Sequence, residues 1–348
     1  MSLATAPPTA EPAAAAPPAS RRALAQMLVG NQVQQAIHVA ARLGIADLLG
    51  DGPRSSGELA AAAGAHPGAL YRLLRVLASF GVFAEDGERR FALTPLAELL
   101  RRDAPESMRA LALWSGGVSY QTFGGLEHSV RTGAPAFEEI FGTGFFDYLA
   151  HDQEAGARFD DLMTWNTAPV AGVLARYDLA GVGTIVDVGG GRGVMLAAIL
   201  SAHPAMRGVL VDHPRVLAGA RSVLEAAGVA DRCETVGADI SRWVPPGGDA
   251  YLLKSIVHGL DDGEAARLLT LCRQAVRPGG RLLLVELVMQ PGNDPGPAKL
   301  MDLLMLVGCH GRERSEEEYR ELLAAAGFGF SGIAHTRYGY SVIEGRAA

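Results

Sequence analysis

From Gly183 onward, short apolar runs alternate with stretches of helical periodicity, which restricts this part of the chain to a parallel sheet with crossover helices. The runs are Thr184–Val188, Gly208–Val211, Cys233–Val236, Ala250–Ile256 and Leu282–Val288. Helices are predicted over Gly193–Ala202, Arg215–Ala227, Asp262–Val276, Ala298–Val307 and Ser315–Ala326. Two late runs, Phe330–His335 and Tyr340–Glu344, flank a short turn and form a hairpin, so one strand must run antiparallel to the rest.

Such sheets bind ligands at the carboxyl ends of their strands, which makes the residues there informative. The first strand runs into Asp187-Val-Gly189-Gly190-Gly191-Arg-Gly193, whose glycines allow positive backbone angles and close approach of a ligand. The second ends in Asp212, about 20 residues further on, where a carboxylate can grip ribose hydroxyls. Asp239-Ile240 follows the third, an acid beside an apolar group suited to bracketing an adenine. His258 ends the fourth and Glu286 lies near the end of the fifth.

A glycine loop alone is a weak signal, and a dinucleotide is its commonest alternative ligand. The fingerprint Gly-x-Gly-x-x-Gly/Ala fails in both registers: begun at Gly189 it ends on Val194, and begun at Gly191 it ends on Leu196. No Gly-Lys-Ser/Thr follows, which excludes a P-loop. The spacing Asp-x-Gly-x-Gly-x-Gly suits a ligand without pyrophosphate whose amino-acid end hydrogen-bonds the turn, such as S-adenosylmethionine.

The first half reads differently. Helical spacing runs from Arg21 to about Leu49, and Ser55-Ser56-Gly-Glu58 has the form of a capped helix start. Helices Glu58–Ala63 and Gly68–Phe80 about a turn at Gly64–Pro67, then a hairpin Phe83–Leu93 turning at Asp86-Gly87, outline a winged helix. Its second helix offers only Arg72 and Arg75 as basic groups, so a scaffold for dimerisation is expected in preference to a DNA reader. Pro105 to about Tyr177 is expected to be mainly helical and to connect the halves, its aromatics core by default.

A chain of 348 residues has room for two domains with separate cores. Its net charge of −7 argues against broad affinity for nucleic acid or an acidic membrane. The three cysteines, Cys233, Cys272 and Cys309, lack metal-ligand spacing and fit a reduced cytoplasmic setting. No apolar run reaches the roughly 18 residues of a membrane-spanning helix. The Ala- and Pro-rich residues 1–20 read as a disordered tail. Cys309-His310 has no partner pair at ligand spacing, so no metal is expected. The mostly acidic run Glu313–Glu321 reads as a solvated helix start capped by Ser315.

In this order along the chain, VDVGGGRG, VDHPRVL, GADI, DAYLLKSIVHGLDD, RPGGRLLLVE and GRERSEEEY resemble the plant-type small-molecule O-methyltransferase family, including its bacterial natural-product branch. The likeness extends over nearly everything after residue 20. It implies an α/β fold: a class I methyltransferase, Rossmann-like doubly wound sheet with an antiparallel edge hairpin, preceded by a mainly helical winged-helix dimerisation domain. Domains are then expected at residues 21–104 (dimerisation), 105–177 (connector contributing to the pocket) and 178–348 (cofactor binding).

The resemblance further implies that Asp187, Gly189, Gly191, Asp212, Asp239, Ile240 and Lys254 contact S-adenosylmethionine, which leaves as S-adenosylhomocysteine. It makes His258 the general base flanked by Glu286 and Glu313, and puts Met163, Met301 and Met305 near the acceptor. The implied partners are a small-molecule substrate and a second copy of the chain, not nucleic acid or membrane.

Those residue types suit methyl transfer. In-line displacement at a sulfonium is mostly a matter of orientation, worth on the order of 7–11 kcal/mol. A phenol near pKa ~10 holds its proton at neutral pH, and a histidine near pKa ~6.5 can take it. One departure stands out: the family continues His-Asp-Trp where this chain reads His258-Gly259-Leu260. Two alternatives stay open at this level. One is a relative that binds the cofactor but catalyses hydroxylation, decarboxylation or rearrangement; the other is a ligand-sensing winged-helix regulator.

Overall fold

The computed structural model describes residues 18–347, and the chain divides into two compact units between Arg102 and Asp103. The expected tail lies outside the described residues as far as residue 17; from Pro18 the chain is helical.

In the first unit the stretch expected as one helical region forms three helices, Pro18–Leu28, Gly30–Arg42 and Ile45–Leu48. Gly44, at φ +66°, makes the second break. Ser55 caps the helix Ser56–Ala63 reciprocally: its hydroxyl accepts from the Glu58 N–H, and the Glu58 carboxylate accepts from the Ser55 N–H at 2.7 Å. The next helix, Pro67–Ser79, buries Leu70, Leu74 and Leu77, one stripe of its surface. Three short strands, β1 (Arg54–Ser55), β2 (Phe83–Glu85) and β3 (Arg90–Leu93), pair antiparallel in the order β1-β3-β2.

The wing does not turn on Asp86-Gly87 alone. Asp86 Oδ1 accepts from the N–H groups of Glu88 and Arg90, and Arg89 takes the left-handed conformation at φ +58°. That makes a three-residue loop whose left-handed position is last, a standard hairpin alternative. The Arg89 and Arg75 guanidiniums both lie over the Tyr71 ring, 4.8 and 5.6 Å from its centroid.

The second unit begins with short helices (Arg109–Ser115, Val118–Phe123, Leu126–Thr132, Ala136–Phe141, Phe145–His151) that lead into the long helix Gln153–Leu174. Trp114, Phe145 and Phe159 pack together as core, with ring centroids 5.2–6.0 Å apart. Phe146, by contrast, is 62% exposed.

A seven-stranded sheet follows: β4 (Thr184–Val188), β5 (Arg207–Asp212), β6 (Cys233–Gly237), β7 (Ala250–Lys254), β8 (Arg281–Leu287), β9 (Phe328–His335) and β10 (Tyr340–Ala347). The order is β6-β5-β4-β7-β8-β10-β9, with β10 antiparallel to both its neighbours. Successive side chains face opposite ways, so Ile185 and Leu252 join one apolar cluster and Val186, Tyr251 and Leu253 the other. Helix Val194–Ala202 packs in the first cluster; helices Asp262–Ala275 and Glu316–Ala325 pack in the second. The strand order reverses between β4 and β7, and the crevice at their carboxyl ends is where such a sheet takes a ligand.

Two of the departures from the expected bounds involve specific backbone features. The predicted helix 215–227 is broken into Pro214–Leu217 and Ala220–Ala226, with Gly219 lying so close to Arg192 that a Cβ would sit 3.0 Å from its Nε. The fourth strand stops at Lys254 instead of Ile256, because Ser255 takes φ +53° and Val257–Gly259 coils into a 3₁₀ turn.

Candidate active site

The glycine turn is shaped by close approach. Gly189 (φ +69°) and Gly191 (φ +60°) occupy left-handed positions. A Cβ on Gly189 would meet Ile256 Cδ1 at 2.5 Å and Ile240 Cδ1 at 3.3 Å. The apolar residue expected to cover an adenine therefore stands beside the turn. Asp212 closes the other side: Oδ2 accepts from the Gly191 N–H at 2.8 Å and Oδ1 from the His213 N–H at 2.6 Å. Each of those oxygens keeps a lone pair for a further donor.

Asp187 is 1% exposed, and neither of its oxygens has a hydrogen-bond partner. Burial, then the nearby Asp212 charge, pushes its carboxyl up to about 7, against the pull of Lys254. The Lys254 ammonium is likewise buried and unpartnered, lies 4.8 Å from the Tyr340 ring centroid, and is pushed down to about 8 by burial. Buried groups of this kind are rarely left unsatisfied in a folded protein. S-adenosylmethionine fits them: it would bring an ammonium and a sulfonium for carboxylate oxygens, a carboxylate for N–H donors, and ribose hydroxyls from which an acid such as Asp212 could accept.

Beyond the cofactor turn, His258 Nδ1 lies 2.7 Å from Glu313 Oε1, both side chains buried. Burial disfavours the charged imidazole, but the Glu286 carboxylate and the Glu313 hydrogen bond outweigh it, so the His258 pKa is raised. Glu286 does not bond the ring. Its Oε1 accepts from the N–H groups of Ile256 (3.1 Å) and Val257 (2.9 Å), while Oε2 is buried without a partner. Burial pushes the Glu286 carboxyl up to about 7. Asp187, Lys254, Glu286 and His258 thus form a chain of groups that feel one another's charge.

The remaining expected positions have the following neighbours. The Asp239 carboxylate, 56% exposed, accepts from the backbone and hydroxyl of Ser241 and pairs with Arg242 at 3.1 Å. Met163 packs with the Trp114 cluster, Met301 against the sheet, and Met305 Sδ lies 3.7 Å from Cys309 Sγ. His310 faces Glu138 at 3.2 Å, and no group of residues suited to holding a metal occurs among the described residues. Glu313 is only 3% exposed and so stands apart from the solvated helix start, which Ser315 caps as expected.

Sequence reading missed five contributors. Arg314, 1% exposed, donates to the carbonyls of Val257 and Leu260 on either side of the histidine. Gly311 packs so tightly that a Cβ would meet the His258 carbonyl oxygen. Tyr340 accepts from Asn166 at 2.7 Å and lies 3.4 Å from Ser255 Oγ, joining the long helix to the end of β7. Asp160 and Asp161 on that helix hold Arg215 (2.9 Å) and Arg192 (2.6 Å), the latter within the glycine turn. Only the run GRER carried a hint of the first two; the others depend on residues far apart in sequence.

Comparison with known proteins identifies the family. An O-methyltransferase domain model matches residues 123–329, and an O-methyltransferase dimerisation domain model matches residues 25–103. A phenazine O-methyltransferase of Lysobacter antibioticus is 43% identical over 93% of this chain and 95% of that protein. A phenazine-1-carboxylate N-methyltransferase of Pseudomonas aeruginosa is 35% identical over 89% of this chain and 92% of its own length. The crystal structure of LaPhzM superposes with TM-score 0.91 and 42% identity, covering 94% of this chain and 99% of that one. That of NcsB1, an O-methyltransferase from neocarzinostatin biosynthesis in complex with S-adenosylmethionine and 2-hydroxy-5-methyl naphthoic acid, gives 0.80 and 36%, covering 90% and 96%.

Proposed function

The chain belongs to the O-methyltransferase family, a group of S-adenosylmethionine-dependent enzymes, and from that premise we propose that it methylates a hydroxyl of a small natural product, phenolic or polyketide-type, with His258 as general base. The observation that carries this reading is the buried His258–Glu313 pair, 2.7 Å apart, beside the carboxyl ends of the parallel strands. The phenazine O-methyltransferase and the NcsB1 complex with 2-hydroxy-5-methyl naphthoic acid support an aromatic acceptor. The dimerisation domain supports a homodimer, and no described helix is long and apolar enough to cross a membrane. A cytoplasmic setting completes the proposal.

Bound S-adenosylmethionine supplies an electrophilic methyl group on a sulfonium. Asp187, the Gly189–Gly191 turn and Asp212 would hold its amino-acid and ribose ends, with Ile240 against the base and Lys254 and Asp239 nearby. Because Nδ1 of His258 donates to Glu313, Nε2 is the nitrogen that accepts the acceptor's proton. Glu313 fixes the tautomer and, with Glu286, stabilises the imidazolium. Such base assistance is worth about a hundred- to ten-thousand-fold, and orientation of the acceptor supplies the larger share. Met163, Met301 and Met305, with the helices of residues 105–177, would shape the acceptor's surroundings.

An amine or ring nitrogen is the second reading, supported by the N-methyltransferase among the relatives. Such an acceptor carries a lone pair already and depends less on His258. Incubation with matched hydroxy- and amino-aromatic acceptors, read by mass analysis, separates the two. Methylated hydroxyl product with equal S-adenosylhomocysteine is expected. Turnover that leaves the cofactor unconsumed would overturn the proposal.

A further inference from the structure

Arg314 has the largest side chain among the fully buried residues, and the reaction above makes no use of it. A buried guanidinium is costly unless its donors are met, so where they go is informative. Its NH1 donates to the Val257 carbonyl at 2.8 Å and its NH2 to the Leu260 carbonyl at 3.0 Å. Nε and NH2 both reach Asp262 Oδ1, at 3.0 and 2.8 Å. The planar fork thus grips the two carbonyls that bracket His258 and the start of the helix that follows it. Its own backbone is tied down as well, because the Arg314 carbonyl accepts from the N–H of Met289 at 2.9 Å, beyond the end of β8, the strand that carries Glu286.

The turn has few other restraints. Glu286 Oε1 holds the N–H groups of Ile256 and Val257, and Gly311 presses on the His258 carbonyl. Residue 259 has no side chain with which to brace it. The neighbour of Glu313 in sequence is therefore the group that fastens the far side of the histidine turn.

We propose that Arg314 is a positioning residue: it holds residues 257–260 so that His258 Nδ1 stays on Glu313 and Nε2 stays aimed at the acceptor. This rests on the reading of His258 as base. Lysine at 314 keeps a charge for Asp262 but cannot span both carbonyls, and asparagine at 262 loosens the guanidinium from a residue that is 63% exposed.

The test measures two quantities on R314K and D262N: kcat against the KM for each substrate, and the titration of the His258 ring by NMR with labelled histidine, its signal identified by loss in H258A. Glu286, Glu313 and Lys254 are the charged groups that face the ring. R314K is expected to lower kcat at least about thirtyfold with cofactor KM within about twofold. It should also move the ring's titration down toward the ordinary histidine value as Nδ1 leaves Glu313. D262N should do the same in smaller measure. A folded R314K with kcat and ring titration both unchanged overturns the proposal. If R314K does not fold, D262N decides by the same two readouts, and no movement in either overturns it. Should the ring signal move while H258A retains near-normal turnover, positioning stands and the assignment of the base falls.

Discussion

His258 Nδ1 and Glu313 Oε1 lie 2.7 Å apart although 55 residues separate them, and the contact is buried. A carboxylate on the inner nitrogen commits the outer one to proton transfer. His258→Ala should therefore lower kcat at least about a hundredfold with little change in cofactor affinity, measured by steady-state kinetics and calorimetry. Glu313→Gln keeps the hydrogen-bonding geometry but not the charge, and should cost about tenfold or more. Near-normal turnover in H258A would leave positioning as the whole of catalysis.

The pH profile follows from the same pair. The His258 pKa is raised: burial lowers it, but Glu286 and Glu313 favour the charged ring by more. Only neutral imidazole accepts a proton, so kcat should fall as pH drops through that raised value, above the ordinary ~6.5. Removing the Glu313 charge favours the neutral ring and should move this acidic limb to lower pH. A limb that does not move in E313Q would separate the ionisation from the histidine.

The apolar runs and the glycine turn were legible because local pattern decides them: strands buried on both faces are apolar whatever lies beside them. The hairpin and its single antiparallel strand were legible for the same reason. What stayed hidden is set by partners distant in sequence. Arg314 sits in a polar run that reads as surface, and carbonyls 54 and 57 residues away bury it. Gly219, in the break between two short helices, lies against Arg192, and the Asp86 carboxylate holds the loop around the left-handed Arg89. Asp239 follows the end of β6, and its carboxylate is engaged by Ser241 and Arg242. Neither partner follows from the apolar pattern.

Cofactor affinity should depend on pH through Asp187. Its carboxyl is pushed up to about 7 by burial, and a cationic ligand favours the ionised form. Binding of S-adenosylmethionine should then release a proton and tighten as pH rises through about 7. Calorimetry in buffers of different ionisation enthalpy measures that proton directly. Asp187→Asn should abolish the pH dependence and weaken binding; a D187N protein with the wild-type slope would assign the proton elsewhere.

Crowding at the glycine turn has a direct consequence. A Cβ on Gly190 would collide with Asp187 Oδ2 and lie 2.5 Å from Leu210 Cδ1, so the turn or the acid must shift. Overpacking of this order costs about 1–3 kcal/mol. Gly190→Ala should lower the melting temperature and raise the cofactor dissociation constant at least about tenfold, while a shift in neither would mean that the turn yields freely.

Gly259 is the contrasting case, and it bears on the departure from the family's His-Asp. A Cβ there meets nothing within 4 Å, and Gly259 is not among the positive-φ glycines. The turn is held instead by Glu286 on its N–H groups and Arg314 on its carbonyls. Gly259→Asp should therefore fold with an unchanged melting temperature, since substitutions free of packing conflict usually stay within about 0.5 kcal/mol. The new carboxylate would stand next to His258 and favour the imidazolium, so the acidic limb of kcat should move to higher pH. Turnover above that limb should stay within about threefold, because the ring's aim does not depend on residue 259. A large gain in G259D would show that the native turn is too loose to aim the histidine, and that restraint from its neighbours alone is insufficient.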